Sequence, residues 1–139
     1  MADLLNKLNH RGQTIALVNV PVDFAADVDA VLAGAETTTT LPEKVDFALV
    51  FVRTLDEVRH HGTAVLSRAV GDAIVWFCYP KQTSKRYTCE FNRDTGWQVL
   101  ADHRFEPVRQ VALDDDWSAL RFRNIDYIKK LTRKARITG

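Results

Sequence analysis

The sequence predicts a three-layer α/β domain, with a mostly parallel sheet, helices on both faces and an antiparallel hairpin at the end. Three observations predict it. Strand-length runs such as "TIALVNV", "VDFALVFV" and "DAIVWFCY" are nearly continuous in apolar residues, as strands covered on both faces must be. Segments with helical spacing of apolar residues separate several of these runs, the pattern of parallel crossovers. Near the end, "EPVRQVAL" and "WSALRFR" are joined only by "DDD", too short for a crossover, so the last strand must run antiparallel.

In chain order, Leu4, Leu5 and Leu8 share one helical face, and Gly12 supplies a stop. "TIALVNV" (14–20) is a buried strand ended by Pro21. Phe24, Val28, Val31 and Leu32 form a helical stripe, with Asp23 as N-cap and Gly34 as C-cap. "ETTTTL" is β-branched but polar and suits a short edge strand. "VDFALVFV" (45–52) is a central strand ending at Arg53 and Thr54. Leu55, Val58, Val65, Leu66 and Ala69 form the stripe of the next helix, with Gly62 on its inner face and Gly71 at its close. After the strand "DAIVWFCY", a helix is expected over 94–104, with Trp97, Leu100 and Ala101 inward. The hairpin follows, then a last helix carrying Ile125, Ile128 and Leu131 and a basic tail.

A chain of 139 residues has the size of one domain, here 1–139, and can bury a core without staples. Its 46% apolar and 27% charged residues fit a globular class rather than disorder. A net charge of +1, from 19 basic and 18 acidic residues, gives no overall pull toward nucleic acid or an anionic membrane. No apolar run approaches the roughly 18–20 residues of a membrane-spanning helix. "MADLLNKLNHRG" lacks the basic start and hydrophobic stretch of a secretory signal, so the cytoplasm is the expected location. Cys78 and Cys89 make neither a disulfide framework nor a zinc motif and are expected as reduced thiols.

The order of elements resembles the core of class I methyltransferases, a Rossmann-like fold. The resemblance implies that the last strand lies between "AIVWFCY" and "PVRQVAL", which puts Lys81 and the Asp114–Asp116 turn on one sheet edge. Such enzymes carry a Gly-rich turn after the first strand. Here that turn is "PVDF", without glycine, and Pro21 removes an N–H donor. Glu43, the nearest acid to the second strand's end, follows a proline. No cofactor is therefore predicted, since a Rossmann-like core does not imply one. Three shorter signatures, "FVR" (51–53), "VWFCYPK" (75–81) and "DWSALRF" (116–122), resemble the bacterial domain-of-unknown-function family 3052. That likeness implies no activity. It singles out Arg53, Trp76, Pro80, Lys81, Asp116, Trp117, Ser118 and Arg121.

In open α/β sheets ligands bind outside the carboxyl ends of the strands. The residues expected there are Asp23, Arg53, Thr54, Lys81, Thr83, Ser84, Lys85, Asp114, Asp116, Trp117 and Ser118. Arg53 and Lys81 can hold a phosphate or carboxylate, Ser84 can donate to it, and Trp117 can stack on a flat ring or form a wall. The competing expectation is structural: Lys81 pairs with Asp114 or Asp116, Arg53 with Asp23 or an Asp of the turn, and the Ser118 hydroxyl bonds the turn.

Other constellations favour structural readings. "PKQTSK" lacks the glycines of a nucleotide-phosphate loop. His60 and His61 lie about 100° apart around a helix and suit solvated pairs with Asp56 and Glu57 better than a metal. "DDD" lacks the spaced ligands of a calcium loop, and no metal is predicted. Ser118 sits in no nucleophile elbow. Cys78 should be buried and inert, and nothing marks Cys89 as a nucleophile.

The leading expectation is a non-catalytic Rossmann-like binding or regulatory module, acting as a homodimer or with a protein partner. One alternative is a protein or enzyme that takes a small anionic ligand at the Arg53–Lys81–Trp117 edge. Another is weak nucleic-acid contact through Lys129, Lys130, Arg133, Lys134 and Arg136.

Overall fold

The computed structural model describes residues 2–22, 32, 34–85, 87–91 and 97–128. Six strands, β1 (Ile15–Val18), β2 (Thr37–Thr38), β3 (Val45–Phe51), β4 (Ala69–Pro80), β5 (Phe105–Ala112) and β6 (Trp117–Asn124), form one sheet ordered β2-β1-β3-β4-β6-β5. The pairs β1–β2, β1–β3 and β3–β4 are parallel. β6 is antiparallel to β4 and to β5, so β5 points the same way as the first four strands. The final strand thus lies between β4 and β5, as the methyltransferase-like order requires, and Trp117 is registered with Pro80.

Strand alternation divides the core in two. Ala48, Val50, Val75, Phe77, Leu120 and Phe122 face one side, together with Val58 and Val65 of helix α2 (Leu55–Leu66). Phe47, Leu49, Phe51, Trp76, Cys78 and Trp117 face the other, where Leu4 and Leu5 of helix α1 (Ala2–Lys7) and Leu8 cover them. Both faces are covered, which is why these strands read as unbroken apolar runs. The hydrophobic periodicity therefore encodes the layers directly.

Helix ends are set by local chemistry. α2 begins with a capping box: Thr54 Oγ1 accepts from Glu57 N at 3.1 Å, and Glu57 Oε1 accepts from Thr54 N at 3.3 Å. α1 ends in a Schellman turn, with Asn9 N donating to Asn6 O and His10 N to Leu5 O. Asn9, at φ 65°, takes the left-handed position, so it is Asn9 rather than Gly12 that stops the helix. Gly71 also departs from expectation. α2 already ends at Leu66, with Ser67 as C-cap, and Gly71 lies inside β4 at φ 56°. There the β3–β4 register jumps from Val45↔Ala69 to Phe47↔Ile74.

Of the helix expected over 94–104, residues 94–96 lie outside the described residues and Gln98–His103 form a 3-10 helix; of the expected last helix, Leu131 lies outside them and Ile125–Tyr127 make a 3-10 turn. Asp23, most of the helix expected over 24–32 and the basic residues 129–136 lie outside the described residues, although Leu32 is buried in the α1-side core. No helix among the described residues is long and apolar enough to cross a membrane.

Gly62 lies on the inward face of α2 with Val58 and Val65. A Cβ there would stand 2.5 Å from Leu100 Cδ2 and 3.4 Å from the Phe77 ring. Leu100, Trp97, Phe91, Tyr79, Phe77 and Phe122 pack as one aromatic-rich cluster against the sheet. The missing side chain lets the helix sit down on that cluster.

Candidate functional site

The carboxyl ends of β1, β3 and β4 meet the β5–β6 turn at one sheet edge. Asn19 follows β1 at φ 60°, a left-handed position that asparagine tolerates better than most residues. Its Nδ2 donates to Phe51 O and to Glu57 Oε2, both at 2.8 Å, tying the first loop to β3 and α2. Glu57 Oε1 also accepts from Arg53 N at 2.7 Å.

Partial burial pushes the Glu57 carboxyl up. The hydrogen bonds from Asn19 and from the Arg53 and Thr54 backbone, with the nearby Arg53 charge, outweigh it and hold the group below its ordinary value. A carboxylate with a depressed folded pKa stabilises the fold above its unfolded pKa and loses that contribution as pH falls through the folded value. Glu57→Gln is therefore expected to melt below the wild type at neutral pH. The gap should narrow as pH drops below the ordinary 4.5, and melts from pH 7 to 3 check this. A gap that widens in acid contradicts it.

The segment after β4 folds back over the edge. Lys81 N donates to Asp116 O at 2.8 Å and Ser84 Oγ to Asp116 Oδ1 at 2.9 Å, while Tyr87 N donates to Ser84 Oγ. Further on, Glu90 N donates to Arg53 O and Glu90 Oε1 accepts from Leu55 N at 2.9 Å. A carboxylate of the chain itself thus occupies the start of α2, where the helix dipole favours negative charge. Asp114 Oδ1 accepts from Asp116 N and Trp117 N, so "DDD" is an Asx turn, as its composition suggests.

These contacts sort the expected residues. Ser84, Asp114 and Asp116 hold the loops. Lys81 faces the Asp turn, but through its backbone. Among the described residues neither its ammonium nor the Arg53 guanidinium makes an ion pair, so the expected Lys81–Asp114 or Lys81–Asp116 pair is not formed. Asp23, the other expected partner of Arg53, lies outside the described residues. Ser118 makes no hydrogen bond to the turn among the described residues, and strand alternation puts it on the face opposite Trp117. Lys85 is exposed.

A cleft of about 320 Å³ opens at this edge, lined by Asn19, Val20, Pro21, Val22, Phe51, Arg53, Glu57, Tyr87 and Trp117. Trp117 packs edge-on to Phe51 at 5.4 Å and against Tyr87 at 5.1 Å, forming a wall. A second hollow of about 380 Å³ lies beside Arg53, Thr54, Thr88, Cys89 and Glu90. Arg53 borders both, while Lys81, Ser84 and Lys85 stand outside their linings.

Asn19, Glu57 and Tyr87 were not anticipated as site residues. The Thr54-x-x-Glu57 capping box was readable and marks where Glu57 turns back. Tyr87 carries no comparable signal. The thiols are unsuited to nucleophilic work: burial pushes Cys78 up, with Asp114 adding to it, and burial raises Cys89. No group of three His, Cys, Asp or Glu among the described residues is placed to hold a metal.

The strand order and the edge cleft define a methyltransferase-like Rossmann core. Among solved structures the chain is similar to the N-methyltransferase NodS from Bradyrhizobium japonicum WM9, at 15% identity and TM-score 0.50, over 84% of this chain and 75% of that one. It is likewise similar to NodS in complex with S-adenosyl-L-homocysteine, at 12% identity and TM-score 0.50, over 84% and 68% of the two chains. At such identities the likeness concerns the fold alone. The chain matches no protein-family profile, and no curated protein matches it.

Proposed function

We propose that this chain is a non-catalytic binding module on a methyltransferase-like core, and that its ligand site is the carboxyl-edge cleft. The observation that carries this reading is the turn after β1. It runs Asn19-Val20-Pro21-Val22 without glycine, Pro21 offers no N–H, and the Asn19 side chain is committed to Phe51 and Glu57. A cofactor of the kind carried by the NodS complex needs close backbone approach at that turn, and these residues do not fit it. Glu57, already hydrogen-bonded, lines the same cleft.

The remaining lining suits a small ligand with a flat apolar body and one anionic group. Trp117, Tyr87, Phe51 and Val20 supply apolar surface, and Arg53 supplies an exposed guanidinium at the rim. Indole-3-acetate has this chemistry and serves as a probe. Arg53→Ala is expected to weaken its binding about tenfold, the equivalent of one charge-assisted hydrogen bond. Adenosylhomocysteine should give no heat on titration into the wild type. Saturable adenosylhomocysteine binding, or indole-3-acetate affinity unaffected by Arg53→Ala, would reject the reading.

A further inference from the structure

Three arginines lie away from the cleft on the β5–β6 hairpin. Arg121 and Arg123 are two residues apart on β6 and share a face. Arg109 stands directly opposite Arg121 across the ladder. On Arg121's other side is Trp76, whose Nε1 donates to Leu8 O, so this is the face that α1 covers. Arg109 Nη1 reaches Asn9 Oδ1, just past α1, at 3.3 Å.

Like charges directly opposite on a sheet destabilise it, yet the backbone departs from regular pairing to make this contact. Pro107 pairs with Phe122 and Arg109 with Arg121, leaving Val108 as a bulge, 40% exposed. In an unbroken register Val108 would oppose Arg121, and Arg109 would oppose Leu120. Bulges occur beside sites, where they re-aim a side chain.

The charges do not balance. Arg121 is only 9% exposed, and its Nε is buried without a hydrogen-bond partner. Among the described residues it makes no hydrogen bond or ion pair. Two carboxylates lie near: Glu106, fully buried and registered opposite Arg123, and Asp72, both of whose oxygens Arg123 holds, at 2.8 and 2.6 Å. Burial lowers the Arg121 pKa, Arg123 and Arg109 lower it further, and Asp72 opposes them. An arginine nonetheless keeps its proton in a protein. Three guanidiniums against the two carboxylates, Asp72 and Glu106, leave one positive charge among these five groups.

We propose that Arg109, Arg121 and Arg123 form a second ligand site, one that takes a phosphate group. Phosphate brings close to two negative charges at neutral pH, and its oxygens match the guanidinium fork. Arg109 is exposed and Arg123 half-buried, so the site opens along the outer strand. It lies four residues from Trp117 along β6, roughly 14 Å from the cleft.

The test uses the full chain, melted in inorganic phosphate and in sodium chloride of equal ionic strength. Phosphate should raise the melting temperature saturably above the chloride control. Arg121→Met should melt above the wild type in chloride, because a buried unpaired charge has gone, and should lose the phosphate response. Arg109→Ala, at an exposed position, should weaken the apparent phosphate affinity at least tenfold. Arg59→Ala, which removes an exposed helical charge, should leave the response intact. The proposal is overturned if the wild type shows no phosphate response or if the response survives in both Arg121→Met and Arg109→Ala. A response abolished by Arg53→Ala would assign the phosphate to the cleft and overturn it equally.

Discussion

Trp76→Ala is expected to cost about 3–5 kcal/mol of folding stability, the range for removing a buried aromatic side chain from a packed core. Trp76 is fully buried at the centre of the sheet, registered with Leu49 on β3 and Arg121 on β6. Its indole also donates to Leu8 O at 3.0 Å, joining residues 68 positions apart. Alanine opens a cavity under α1 and leaves the Leu8 carbonyl unpaired. Trp76→Phe separates the two effects: it keeps most of the volume and loses the hydrogen bond, for about 1–3 kcal/mol. Urea unfolding of the three proteins measures both. A loss below about 1 kcal/mol for the alanine variant would mean that α1 adds no closed layer to the core.

Gly62→Val is the other large effect, expected at about 1–3 kcal/mol. The sign is not obvious, because glycine inside a helix is itself unfavourable by up to about 1 kcal/mol relative to alanine. Steric overlap decides it. The first carbon of any side chain would stand 2.5 Å from Leu100 Cδ2, and Leu100 is fully buried among rings with little room to yield. The coupling can be measured directly. Leu100→Ala alone should destabilise by about 2–5 kcal/mol. Combined with Gly62→Val, the two losses should fall short of their sum by at least about 1 kcal/mol, since valine fills part of the space leucine leaves. Additive losses would place the origin of the Gly62 effect elsewhere.

Much of the architecture was written in the periodicity. β3 and β4 from Ala73 to its carboxyl end are buried on both faces, and their near-continuous apolar runs say so. The antiparallel direction of β6 followed from one local fact, a turn too short for a crossover, while its place between β4 and β5 was implied by the resemblance to methyltransferase cores. Boundaries were less legible. Gly71 reads as a helix stop because glycine is favoured there, yet Ser67 had already ended the helix and the glycine's backbone freedom serves an irregular stretch of β4. Gly12 misled in the same way, because Asn9 can adopt the left-handed turn and comes first.

The edge itself was legible and its wiring was not. Arg53 and Trp117 line the cleft, as their place after β3 and at the start of β6 suggests. Opposite charges near a turn suggest ion pairs, but the aspartates take backbone and hydroxyl donors first, because Asp114 reaches the N–H groups of its own turn at 2.7–2.8 Å. Glu57 followed the same logic, preferring nearby backbone N–H groups to a histidine one helical turn on.

The two outermost strands bear on how copies of this chain behave at high concentration. An open sheet presents unpaired backbone groups along its margins, a template onto which a foreign strand can add. β2, at one margin, is two residues long and gives an incoming strand almost nothing to grip. β5, at the other, carries Pro107, which lacks a donor, and the Val108 bulge, which spoils the spacing of its ladder. The irregularity that brings Arg109 opposite Arg121 therefore also guards the molecule against fibrillar self-assembly.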